Sequence, residues 1–278
     1  MASLLLCSSC KKSTVAEEAA AAAPNITQLK ESIAQATGMP METVVYAADK
    51  QAFVIEEDSY ISLEDARMRF TSKGMGLRSA VNGTQHMLSY FLVDPEQIGS
   101  LTIYVDRTVP QAWIAALDQA IENWNASGSG VHMERTSYPT ITTTRVTAAF
   151  MDYRTIATGA LPDYYGNAGR RITINTYFNS LAESKKIFAL THELGHTIGF
   201  SHTNGTFGTM IEGTPYRDSE SIMNSVCLQW TGFTDYDLMA INLTYPGLTA
   251  EPETFTEETD PATDTDAGME TEAAAATE

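Results

Sequence analysis

The chain has 278 residues, 43% of them hydrophobic, and a formal net charge of −18. That length supports one large domain or two small ones around a sizeable core, and with no basic stretch to neutralise phosphates it excludes nucleic acid as a partner. No run of about 18 apolar residues occurs, so no segment reads as a membrane-spanning helix.

At the N-terminus, Cys7 and Cys10 follow Leu4-Leu5-Leu6 and precede Lys11-Lys12 and an Ala/Glu-rich run. This resembles the end of a bacterial lipoprotein signal peptide, with Cys10 at the lipid-accepting position. Three leucines fall short of the roughly 7 to 15 apolar residues of a secretory core, so a plain terminal segment is the other reading. The first reading implies an extracytoplasmic protein, secreted or held at a bacterial envelope through an N-terminal lipid. Residues 1–23 are assigned to this segment and its linker.

Asn25 to Ala36 reads as a short helix, with Leu29, Ile33 and Ala36 at helical spacing and Gly38-Met39-Pro40 ending it. Val44-Val45-Tyr46 and Ala52-Phe53-Val54-Ile55 read as a hairpin around Asp49-Lys50. Glu56-Glu57-Asp58 follows, and Ser62-Leu63-Glu64-Asp65 starts a short helical pattern. The acidic triplet reads as a solvated turn, or as a pro-region carboxylate that occupies the open position of a metal. Residues 24–98 form an N-terminal region, either a pro-segment or an accessory unit.

From Leu101 strands and helices alternate. Leu101 to Val105 reads as a strand, and Pro110 opens a helix whose Trp113, Leu117, Ala120, Ile121 and Trp124 face a core. Strands are expected at Val131 to Arg135, Val146 to Met151 and Ile172 to Phe178, with a loop from Tyr153 to Arg170. The order suggests helices layered on a mixed sheet. A further helix begins near Ser180, capped by Ser180 and Glu183, with Ile187, Leu190, Leu194 and Ile198 on its buried side.

That helix carries His192-Glu193-Leu194-Gly195-His196, followed by Gly199 and His202. Histidines four apart project from one helix face and can share one metal ion. Gly199 tolerates positive φ, so the helix can stop and return His202 as a third ligand. Three protein ligands leave a fourth position open, the arrangement of a catalytic zinc site. Glu193 stands beside them as a general base. Ser221-Ile222-Met223-Asn224 lies about twenty residues beyond, and a helix is expected from Asp235 to Leu243. His86 and His132 read as ordinary polar residues, and Tyr216 and Tyr236 as packed surface aromatics or auxiliary donors. The final residues, 250–278, contain ten acids and no base, which leaves 25 acids against 17 bases, a net −8, for the rest. Their composition predicts a disordered tail.

The long histidine motif together with Ser-x-Met resembles the metzincin clan of zinc endopeptidases. Leu194-Gly195-His196-Thr197-Ile198-Gly199-Phe200 is similar to the core of the bacterial dual-action HEIGH-type metallopeptidases. Gly213-Thr214-Pro215 through Asp218 to Met223-Asn224 resembles their approach to the Met-turn. The helix with Trp113 and Trp124-Asn125 fits as well, and Phe53 to Asp58 resembles a segment that precedes such domains. The resemblance implies an α+β metzincin-like catalytic domain over residues 99–249, with a mixed twisted sheet, the zinc-motif helix, a Met-turn at Met223 and a C-terminal helix. It also implies one catalytic Zn2+ on His192, His196 and His202, hydrolysis of protein or peptide substrates with Glu193 as proton carrier, and a monomer. Where the astacin-type members place a tyrosine two residues past the methionine, this chain has Ser225. Two other classes remain open. One is a zinc-binding module without proteolysis, and the other is an adhesion or interaction protein on the same scaffold.

Overall fold

The computed structural model describes residues 25–71, 86–151, 154–215 and 218–247. The expectations for Cys7, Cys10, Tyr216 and the acidic tail lie outside the described residues.

The first helix, α1 (Ile26–Thr37), ends at Gly38 with φ 74°, as the sequence predicts, and begins with a capping box between Asn25 and Gln28. Strands β1 (Val45–Ala47) and β2 (Ala52–Ile55) pair antiparallel. The acidic triplet is then followed by an unexpected strand, β3 (Ser59–Ser62), before α2 (Leu63–Phe70), which Ser62 caps. Leu29, Ile33, Phe53, Ile55, Ile61 and Phe70 form a cluster that also takes in Phe91, Leu161 and Phe207 from later in the chain.

The main sheet runs β1-β2-β3-β8-β9-β7-β5-β6. Its later strands are β5 (Leu101–Val105), β6 (Met133–Thr136), β7 (Thr144–Ala149), β8 (Ala157–Ala160) and β9 (Arg171–Asn175). Pairings β5 to β6, β5 to β7 and β7 to β9 are parallel, whereas β8 is antiparallel to β9. The sheet is therefore mixed, and the class α+β. Strand β8 lies in the stretch expected to be loop, because Ala157-Thr158-Gly159-Ala160 has neither bulky residues nor alternation; all four are nonetheless buried. Strand β9 stops short of Phe178 because Asn175 turns the chain, its side chain accepting from the amides of Met151 and Tyr177.

Helix α3 (Gln111–Asn125) starts after Pro110 and lays Trp113, Leu117, Ala120, Ile121 and Trp124 into the main core. Helix α4 (Glu183–Thr197) packs beside it. Ser180 and Glu183 do not cap α4; its N-cap is Ala182, with no side-chain hydrogen bond, and a turn around Phe178 precedes it. Leu190, Leu194 and Ile198 are fully buried, each worth about 1.5–3 kcal/mol relative to exposure. The opposite face of α4 is buried too, under β8 and the histidine cluster.

A small second sheet braces the far side of α4. Its middle strand is β4 (Met87–Leu88), flanked by β10 (Phe200–Ser201) and β11 (Thr209–Met210). Helix α5 (Asp235–Thr244) closes the described fold, with a capping box between Thr234 and Asp237. No helix among the described residues is long and apolar enough to cross a membrane.

Candidate metal centre

Helix α4 delivers His192 and His196 one turn apart, and the chain then reverses at Gly199, whose φ is 104°. A side chain at Gly199 would meet the carbonyl of Phe91 at 2.7 Å, so both the torsion and the space require glycine. The reversal brings His202 back. Its Nε2 lies 3.2 Å from Nε2 of His192 and 3.2 Å from Nε2 of His196. All three histidines are at most 4% exposed.

Each ring is oriented through its other nitrogen. Nδ1 of His192 donates to the carbonyl of Ile222 at 2.7 Å, and Nδ1 of His196 to the carbonyl of Phe200 at 2.8 Å. Nδ1 of His202 stands 3.3 Å from Oε2 of Glu56. Acceptors at these three positions favour the proton on Nδ1, the tautomer in which the converging Nε2 atoms can ligate a metal. Lone pairs at 3.2 Å repel unless a cation lies between them. The donor set therefore fits a metal.

Asp58 completes the cluster. Oδ2 is 3.1 Å from Nε2 of His202 and 3.6 Å from Nε2 of His192, while Oδ1 is 3.5 Å from Nε2 of His196. The four residues form a group able to hold an ion. The solvated-turn reading of the acidic triplet thus holds for the exposed Glu57 and not for its neighbours. Asp58 and Glu56 face inward, and the turn that aims them has positive φ at Glu56 (50°) and Glu57 (79°). Non-glycine residues in that region cost about 1–3 kcal/mol each.

The electrostatics follow from burial and these contacts. Burial pushes His192 down to about 4, opposed by its contact with Asp58. Burial acts the same way on His202, but Asp58 and Glu56 outweigh it and raise His202 to about 10. Burial disfavours the charged form of Asp58, yet the charge of His202 and the ring contacts hold its carboxyl well below the usual range. Glu193 is pushed well above the usual carboxylate range by burial, and then by the charge on Asp58.

Glu193 is 3% exposed and its Oε2 has no hydrogen-bond partner. It lies against Gly159 of β8, where a Cβ would come within 2.9 Å of Oε2 and 3.1 Å of the His196 Cβ. On the other side of α4, a Cβ on Gly195 would sit 2.5 Å from Sδ of Met223 and 3.2 Å from Trp124. Met223 therefore packs on the helix backbone between His192 and His196. Its turn is held by the Ser221 hydroxyl, which accepts from the Met223 amide, and by the Met223 carbonyl, which accepts from Thr203. Ser225 pairs with Asn204, tying the turn to the segment after His202.

Beneath the turn sits Asp237, which sequence reasoning placed in a helix without a role. It is 1% exposed and accepts from Ser221 Oγ, His86 Nε2 and the amides of Ile222 and Thr234. Thr234 three residues before it was the available sign. His86, expected to be an ordinary polar residue, is buried against Asp237 and Asp218, and both His132 and Tyr236 are exposed.

Residues 100–245 match the model of the family described as dual-action HEIGH metallo-peptidases. Among solved structures, myroilysin is 15% identical, with 52% of this chain and 82% of that chain covered and a TM-score of 0.39. High choriolytic enzyme 1, a hatching enzyme zinc-protease from the medaka fish Oryzias latipes, is 14% identical, with 57% and 95% covered and a TM-score of 0.40. No curated protein matches the sequence. The family match spans more than half of the chain and contains all three histidines and Met223, and the chain belongs to the dual-action HEIGH metallo-peptidase family.

Proposed function

We propose that the protein is a zinc-dependent endopeptidase with Glu193 as general base. The reading rests on the three converging Nε2 atoms, whose Nδ1 partners favour the tautomer that can ligate a metal, beside a buried carboxylate oxygen that bonds to nothing. A bound zinc ion supplies a Lewis acid that polarises the scissile carbonyl and acidifies water.

The chain's own groups do the rest. His192, His196 and His202 hold the ion, and Met223 and Trp124 keep the α4 backbone in place behind it. Glu193 Oε2 takes the proton from the attacking water and passes it to the leaving amine. Gly159 leaves the carboxylate its space, and β8 offers its outer edge to an extended peptide. That edge already accepts a strand, since β3 pairs with it.

The test is digestion of a proteome-derived peptide library by the chain after limited proteolysis, with and without chelator. Glu193→Gln should retain the metal and lose about 10²- to 10⁴-fold in turnover. Cleavage that survives metal removal, or equal turnover by the Gln variant, refutes the reading.

A further inference from the structure

We propose that Asp58 is a fourth protein ligand of the metal, and that residues 45–70 are a strap which holds the peptidase latent. The inference rests on the metallopeptidase reading above and concerns the regulation of the same site.

The first support is distance. Four donors around a tetrahedral zinc with bonds of about 2.0–2.1 Å stand roughly 3.3–3.4 Å apart. The distances from Asp58 oxygens to the three Nε2 atoms run from 3.1 to 3.6 Å, and two Nε2 pairs are at 3.2 Å. Asp58 therefore stands where the open fourth position of a three-histidine site falls. Its Oδ1 is buried and makes no hydrogen bond, so a cation is the partner its surroundings allow.

The second support is the way the strap is seated. Strand β3 lies parallel along β8, with Ser59 opposite Gly159 and Tyr60 opposite Ala160. The carbonyl of Asp58 accepts from Gly159 N–H at 3.0 Å, and that of Tyr60 accepts from Leu161 N–H at 3.0 Å. The strap thus fills the sheet edge nearest Glu193. It also presents a side-chain carboxylate to the metal while the neighbouring peptide carbonyl is bonded to β8, so its own backbone is not offered for attack.

Glu56 is a second clamp. Its Oε1 accepts from the amides of Thr206 and Phe207, and its Oε2 faces His202. A Cβ on Gly205 would strike this carboxylate, so the segment after His202 is shaped to receive it. Farther along, Asp65 accepts from the amide of Tyr164, and Phe53, Ile55, Ile61 and Phe70 share a core with Phe91, Leu161 and Phe207. The strap is anchored by apolar burial as well as by its carboxylates. Losing Asp58 alone should therefore open the metal without unseating β3.

The experiment uses the full chain loaded with Co2+, titrated with acetohydroxamate and followed by the visible d–d band. Asp58→Ala and Asp58→Asn should bind the hydroxamate at least tenfold more tightly than wild type. Equal affinity in wild type and both variants overturns the proposal. So does a wild-type chain that already saturates at millimolar acetohydroxamate, a result that needs no variant to fold. Peptide cleavage is scored separately. Tighter hydroxamate binding with no cleavage after strap removal rejects the peptidase and keeps the ligand, whereas cleavage by wild type that Asp58→Ala leaves unchanged rejects the strap and keeps the peptidase.

Discussion

Replacing Asp237 by Asn tests how far the Met-turn supports the metal site. The two carboxylate oxygens accept four hydrogen bonds. His86 Nε2 (2.8 Å) and Ser221 Oγ (2.7 Å) meet Oδ1, and the amides of Ile222 and Thr234 (both 3.0 Å) meet Oδ2. An asparagine keeps one acceptor oxygen, so in either orientation two of these groups face an NH2. Each unpaired buried group costs about 1–3 kcal/mol. Two of them cost roughly 2–6 kcal/mol, which for a domain of this size lowers Tm by about 4–24 °C. Ile222 extends the effect, because its amide is held by Asp237 while its carbonyl orients His192. Substituting an outer group around a metal ligand costs about 10–100-fold in affinity, and Asp237, acting through Ile222, should sit near tenfold. Melting followed by circular dichroism, with a competing chelator titration, measures both. A variant that melts within about 2 °C of wild type and binds metal as tightly would show that the network carries neither load.

Two further substitutions probe separate parts of the site. Gly159→Ala should push the Glu193 carboxylate off its position and cost about 1–3 kcal/mol through overpacking; activity should fall while metal content, read by atomic absorption, stays at one ion. Tyr245→Phe removes a buried hydroxyl that donates to the Ile198 carbonyl and accepts from the Val93 amide. It should cost about 1–3 kcal/mol, seen as a Tm lowered by about 2–12 °C, with metal affinity unchanged.

What the sequence reveals and what it hides separate by physical range. His192, His196 and His202 are placed by the pitch of one helix and one glycine reversal, all within eleven residues, so spacing alone finds them. Helix α1 is legible for the same reason, since Leu29, Ile33 and Ala36 recur at its pitch and Gly38 ends it. Asp58 meets His202 across 144 residues, and only a strand pairing with β8 sets that meeting. Strand β8 is itself silent in sequence because its packing against α4 demands small residues. Asp237 shows a cap, but not the buried load hung on it. Ser180 and Glu183 mimic a helix start, yet the turn at Phe178 carries the chain past Ser180 before α4 begins.

The short strand β4 sets a limit on how the strap can be shed. Met87 and Leu88 lie between β10 and β11, the Ser89 amide donates to the Gly199 carbonyl, and the His86 carbonyl accepts from Ile211. Residues 86–89 are thus part of the frame that positions His202. A cut on the strap side of His86 releases the clamp and leaves the frame whole. A cut a few residues later removes the middle strand and leaves the third ligand on an unsupported loop. On the strap proposal, where the chain is cut relative to His86, as much as whether it is cut, decides the yield of working enzyme.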